Sequence, residues 1–137
     1  MTQTRDLIYE QELNRHSEEM VRVLRSFRER SDWTINDFLA IERALQVVIE
    51  ALIGLSRYIL KIKKNIILSK SSDVFDALMR ENLISNSEHT ATKKMVGYRN
   101  ILVHDYLNVN PAITREIIEK SQFDQIVTIQ KKLLASL

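Results

Sequence analysis

Residues 34–66, TINDFLAIERALQVVIEALIGLSRYILKIKKNI, decide the fold. Phe38, Ile41, Leu45, Val48, Ile49, Leu52, Leu55, Ile59 and Ile62 recur at threes and fours toward Ile66, so one wide apolar stripe runs along a single long helix. Thr34, with Asp37 three residues later, supplies the cap that starts it. As the longest and most apolar segment of the chain, this helix is expected at the centre of the molecule. Gly54 interrupts the stripe, where the missing side chain costs helix stability but lets a neighbouring backbone come close.

Outward from that helix, the same spacing repeats. Upstream, Leu13, Met20, Val21, Leu24 and Phe27 give a first helix from about Arg5 to Arg30, broken at Ser31 and Asp32. Downstream, Ser72 is positioned to cap a short third helix from Asp73 to about Glu81, with Val74 and Leu78 inward. Ser85-Asn86-Ser87, with Glu88 near the positive end, starts a fourth helix. Its inner stripe is Ala91, Met95, Tyr98 and Leu102, which leaves Lys93, Lys94 and Arg99 off the stripe and open to solvent. Asn110-Pro111 opens a fifth helix, and Ser121-Gln122 interrupts its apolar phase, so a kink or short break is expected there. Two glycines and one proline in 137 residues leave few turns of the kind that sheets require. The expectation is an all-α bundle of about five helices forming a single domain over residues 1–137.

Composition narrows the function. The chain has no cysteine, which removes disulfides, thiolate metal sites and cysteine nucleophiles together and fits a reducing cytosol. The N-terminal stretch MTQTRDLIYEQELNRHSEEM is too charged for a signal peptide, and no apolar run approaches the ~20 residues of a membrane helix. A soluble cytoplasmic protein is expected, with no membrane partner. There is no glycine-rich phosphate loop, no histidine pair one helical turn apart and no serine elbow, so neither a cofactor nor a metal site is expected. The net charge of +2 is too small to imply a nucleic-acid partner, but its distribution is uneven. Arg57, Lys61, Lys63, Lys64 and Lys70 occur without an acid between them, as do Lys93 and Lys94 within residues 89–104. Such runs suit a phosphate backbone, and equally a solvated helix end complementing the macrodipole.

The chemistry concentrates in Tyr98–Tyr106, YRNILVHDY. An arginine holds a phosphate through two hydrogen bonds and a histidine moves a proton near neutral pH, so Arg99 and His104 together suit phosphodiester cleavage. Five positions separate them by about 140° around an unbroken helix, so they do not face one pocket. Either the helix loosens near His104, or the side chains meet beneath a shared surface, or a second subunit completes the site. His16 and His89 read as solvated surface histidines.

The residues GYRNILVHDYLNVNP, with Arg99-Asn100, His104 and Tyr106 in Arg-x4-His-x-Tyr spacing, resemble the motif of HEPN ribonucleases, and more narrowly their HepT branch. The resemblance runs from the motif to the C-terminus. It implies a helical homodimer that cuts RNA without a metal, with Arg99 and His104 catalytic and Asn100 and Tyr106 supporting. It further implies a toxin of a type II, or enzyme-modified type VII, toxin–antitoxin system. The partner would be an MNT-type nucleotidyltransferase antitoxin that attaches adenylate to Tyr106. Lys61, Lys63, Lys64, Lys93 and Lys94 are the candidate RNA contacts. The competing reading is a non-catalytic helical protein that binds RNA, a nucleotide or such a nucleotidyltransferase.

Overall fold

In the computed structural model, which describes residues 4–137, the long apolar stretch forms α2 (Ile35–Lys64). The Thr34 hydroxyl accepts from the Asp37 N–H, and the Asp37 carboxylate accepts in return from the Thr34 N–H. Two of the otherwise unpartnered donors at this helix start are thereby satisfied. At the far end Asn65 adopts a left-handed conformation, φ 54°, and donates to Lys61 O while Ile66 donates to Leu60 O. Thirty residues make α2 about 45 Å long. Ile41, Leu45, Val48, Leu52, Leu55 and Ile59 are fully buried along it. Helix α2 is therefore the axis around which the other helices pack.

The first helix, α1 (Leu7–Ser26), lies against α2, with Tyr9 beside Tyr58 at a ring separation of 4.9 Å. A Cβ on Gly54 would come within 3.3 Å of the Tyr9 hydroxyl. The close neighbour at this glycine is thus a side chain rather than the backbone expected. The third helix, α3 (Ser71–Arg80), starts earlier than predicted, because Val74 N–H reaches Lys70 O and closes the first turn there. Ser72 is consequently inside the helix, and no side chain caps its start.

The fourth helix, α4 (Asn86–His104), begins with a second reciprocal cap, between Ser85 and Glu88. His89 is not the solvated residue expected: its Nε2 lies 2.7 Å from Asp76 Oδ1 on α3, and its side chain is mostly covered. Lys93 joins the same carboxylate at 3.2 Å. The His89 and Lys93 contacts hold the Asp76 carboxyl below its ordinary range. These contacts tie α3 to α4.

After a 3-10 turn (Tyr106–Asn108), Asn110 caps α5 (Pro111–Glu119), with Pro111 at the first helical position as predicted. The interruption at Ser121 is a complete break. Ser121 takes φ 51°, Gln122 N–H reaches back to Ile117 O, and α6 (Phe123–Ala135) begins anew with Phe123 fully buried. That break makes six α-helices among the described residues instead of about five. The charged N-terminal stretch discussed above includes residues 1–3, which lie outside the described residues. Among those described, no helix is long and apolar enough to cross a membrane.

Candidate functional site at the end of helix α4

Burial on α4 falls on Thr92, Met95, Val96, Tyr98 and Leu102, a stripe that sets the rotation of the helix. Tyr98 shares a buried hydrogen bond of 2.8 Å with the Thr114 hydroxyl on α5, and burial pushes its phenol up to about 12. Arg99 falls within the same inward arc, not on the solvent side as the sequence suggests. Its side chain crosses to α2, where Nε and an Nη both lie 3.3 Å from one oxygen of Glu50. Its other Nη donates to Asn100 Oδ1 at 3.0 Å. Gln46, one turn before Glu50, donates to the same Glu50 oxygen.

Helical geometry stops at His104. Asp105 takes φ −149° and ψ 50°, and the Asn108 amide ties the following turn back to the Asp105 carboxylate. His104 is left exposed at the last helical position, about 140° around α4 from Arg99. With it on that side lie Lys94, Gly97 and Ile101, all exposed. Among the described residues, a Cβ on Gly97 would meet nothing within 4 Å. The 3-10 turn returns Tyr106 toward α2, where its hydroxyl donates to Glu42 Oε1 at 2.7 Å. That bond to the carboxylate raises the phenol above its ordinary range, although half of Tyr106 is exposed.

The structure therefore brings together Arg99, Asn100 and Glu50, and separately Tyr106 and Glu42, while among the described residues the exposed His104 side chain shares no hydrogen bond with either group. The lysines form no single patch with them. Lys61 and Lys64 are exposed near the C-terminus of α2, and Lys61 lies about 16 Å farther along the axis than Glu50. Lys63 donates to Ser136 O at 2.6 Å, and Lys93 is engaged by Asp76. Lys94 borders an apolar cleft of about 170 Å³ with Met95, Tyr98, Ile101, Val109 and Ile113. Sequence reasoning missed Glu42 and Glu50. The available signal was the series Glu42, Gln46, Glu50, a polar row at helical spacing on an otherwise apolar helix.

A helical bundle of this order is the fold of HEPN toxins. A crystal structure of a toxin–antitoxin with AMP-PNP superposes with a TM-score of 0.84 at 21% identity, covering 95% of this chain and 99% of the other. A tri-AMPylated Shewanella oneidensis HEPN toxin in complex with MNT antitoxin gives 0.84 at 22%, covering 96% and 99%. YutE, a cytosolic protein of unknown function from Bacillus subtilis, gives 0.76 at 20%, covering 93% and 89%. Residues 13–131 match the family described as ribonuclease HepT-like. The mRNA nuclease HepT of Shewanella oneidensis is 33% identical over 104 residues, 74% of this chain and 77% of that protein. The chain belongs to the HepT-like ribonuclease family, as the motif spacing suggests.

Proposed function

We propose that this chain is the cytoplasmic toxin of a toxin–antitoxin pair, a metal-independent endoribonuclease that works as a homodimer and is silenced by adenylylation of Tyr106. The observation that carries the reading is the arrangement at the end of α4, where the imidazole of His104 stands in solvent and the Arg99 guanidinium is only loosely held. The Arg99–Glu50 contacts are long and reach a single oxygen in a partly exposed setting. Such a pair contributes under about 1 kcal/mol, and a phosphate offering two oxygens can displace it. Arg99 then stabilises charge on the phosphoryl oxygens as the RNA 2′-hydroxyl attacks phosphorus. His104 assists proton transfer at the 2′-hydroxyl or the leaving oxygen, giving a cyclic phosphate and a 5′-hydroxyl. Asn100 positions Arg99 through its amide oxygen.

The separation of Arg99 and His104 around α4 supports the homodimer. Arg99 and His104 do not converge within one chain, and on the His104 side Gly97 faces open space among the described residues, with Ile101 part-exposed at the edge of the apolar cleft. A second copy packed there places two motifs side by side, and Gly97 permits close approach of its helix. The exposed Lys61, Lys64 and Lys94 then guide the RNA backbone, with Lys63 and Lys93 joining after release from their present partners. The nuclease named for the HepT relative, and the AMPylated toxin and MNT antitoxin named for the similar structure, support the substrate class, modification and partner.

Incubation with RNA in EDTA tests the reaction. The wild type should cleave, and Arg99→Ala and His104→Ala, checked for folding, should each lose at least about 100-fold in rate. A requirement for added divalent metal overturns the mechanism. RNA binding without turnover favours the non-catalytic alternative, which the Arg99–Glu50 engagement also suits.

A further inference from the structure

We infer that Glu42 is the proton acceptor for the modification of Tyr106, so that the toxin supplies the base for its own adenylylation. This rests on the reading that Tyr106 receives the adenylate. The Tyr106 hydroxyl donates to Glu42 Oε1 at 2.7 Å, while the turn that bears it leaves half of the residue exposed. Burial does not demand this contact, because water could satisfy so open a hydroxyl. Instead, the contact aims the proton at a carboxylate on the rigid helix α2 and leaves the remaining oxygen lone pairs available to an incoming phosphate.

A neutral phenol is a weak nucleophile, and the carboxylate beside it discourages ionisation before attack. As the phenolic oxygen bonds to the α-phosphorus, however, its proton becomes strongly acidic, and transfer across the existing hydrogen bond becomes favourable. In the full step, the Tyr106 Oη–Pα bond forms and the bond from Pα to the bridging oxygen of the β-phosphate breaks. Pyrophosphate leaves with that electron pair, and the proton passes to Glu42 and then to solvent. The co-reactant is a nucleoside triphosphate held by the nucleotidyltransferase. The titratable groups around Tyr106 are Glu42 on α2, Tyr98 on α4, and the chain neighbours His104 and Asp105. Of these, Glu42 is the one hydrogen-bonded to the phenol among the described residues.

Glu42→Gln separates proton transfer from positioning, since the amide oxygen still accepts the hydrogen bond but cannot take the proton. Full-length toxin is mixed with the nucleotidyltransferase and magnesium ATP, and intact mass is followed in a single turnover. The wild type should gain adenylate at Tyr106 at a rate nearly flat from pH 7 to 9. Glu42→Gln should be slower by about 100-fold or more at pH 7 and should gain about tenfold per pH unit as hydroxide or the phenolate takes over. Glu42→Asp should recover much of the rate. Circular dichroism and complex formation with the nucleotidyltransferase guard against misfolding. Modification of Glu42→Gln within about twofold of the wild type, or a slowed rate with an unchanged pH profile, overturns the proposal while leaving Tyr106 as the acceptor. Absence of adenylate from Tyr106 in the wild type overturns both readings.

Discussion

Tyr98 lies directly beneath the motif, and its buried phenol makes the neighbourhood of Arg99 sensitive to alkali. Its pKa of about 12 in the folded chain stands above the ordinary 10.0, so the unfolded chain releases this proton first as pH rises. The associated stability is intact below pH 10 and is lost as pH rises to about 12. Urea denaturation should therefore show the wild type losing stability between pH 10 and 12 more steeply than Tyr98→Phe. At neutral pH the same substitution should cost about 1 kcal/mol, because the Thr114 hydroxyl loses its partner. At this scale the sequence was partly informative. Arg99, His104 and Tyr106 stood out because their spacing is local, whereas Glu42 and Glu50 acquire meaning only from the register in which α2 meets α4. His89 looks solvated in the sequence for a similar reason, since Asp76 reaches it from another helix.

Among the elements, the segment from α5 to α6 tests how a single backbone angle sets a packing direction. Ser121 at φ 51° occupies a region that disfavours residues with a Cβ, and the break it creates delivers Phe123 to the core. Ser121→Gly should stabilise the fold by about 0.5–1 kcal/mol, and Ser121→Val should destabilise it by at least as much, in thermal melts read by circular dichroism. Helix starts are legible where Thr34 with Asp37 and Ser85 with Glu88 form reciprocal caps, and where Asn110 accepts from the Ala112 N–H while Pro111, which has no N–H to satisfy, takes the first helical position. The start of α3 has no side-chain cap among the described residues, so the sequence does not mark that it begins ahead of Ser72. The extent of the Ser121 break depends on where Phe123 is buried, which phase alone does not encode.

For the whole molecule, Gly97 is the most informative position. A glycine in a helix interior costs about 1 kcal/mol relative to alanine, and among the described residues no neighbour requires it. Gly97→Leu should leave the helical content unchanged yet shift sedimentation from dimer to monomer and reduce RNA cleavage at least about tenfold. A dimeric, fully active variant would place the assembly on another face. The all-helical class and central α2 were legible from one apolar stripe, whereas the arrangement of faces around α4 required the packed structure. Helix α2 also constrains how this protein can change over generations. Glu42 and Glu50 lie about 12 Å apart along one unbroken helix, each holding a different part of the motif. One residue inserted between them would swing one carboxylate about 100° relative to the other. A lineage can lengthen the connections at 65–70 or 81–85, but it cannot alter the count between these two glutamates without surrendering either the arginine's restraint or the tyrosine's acceptor.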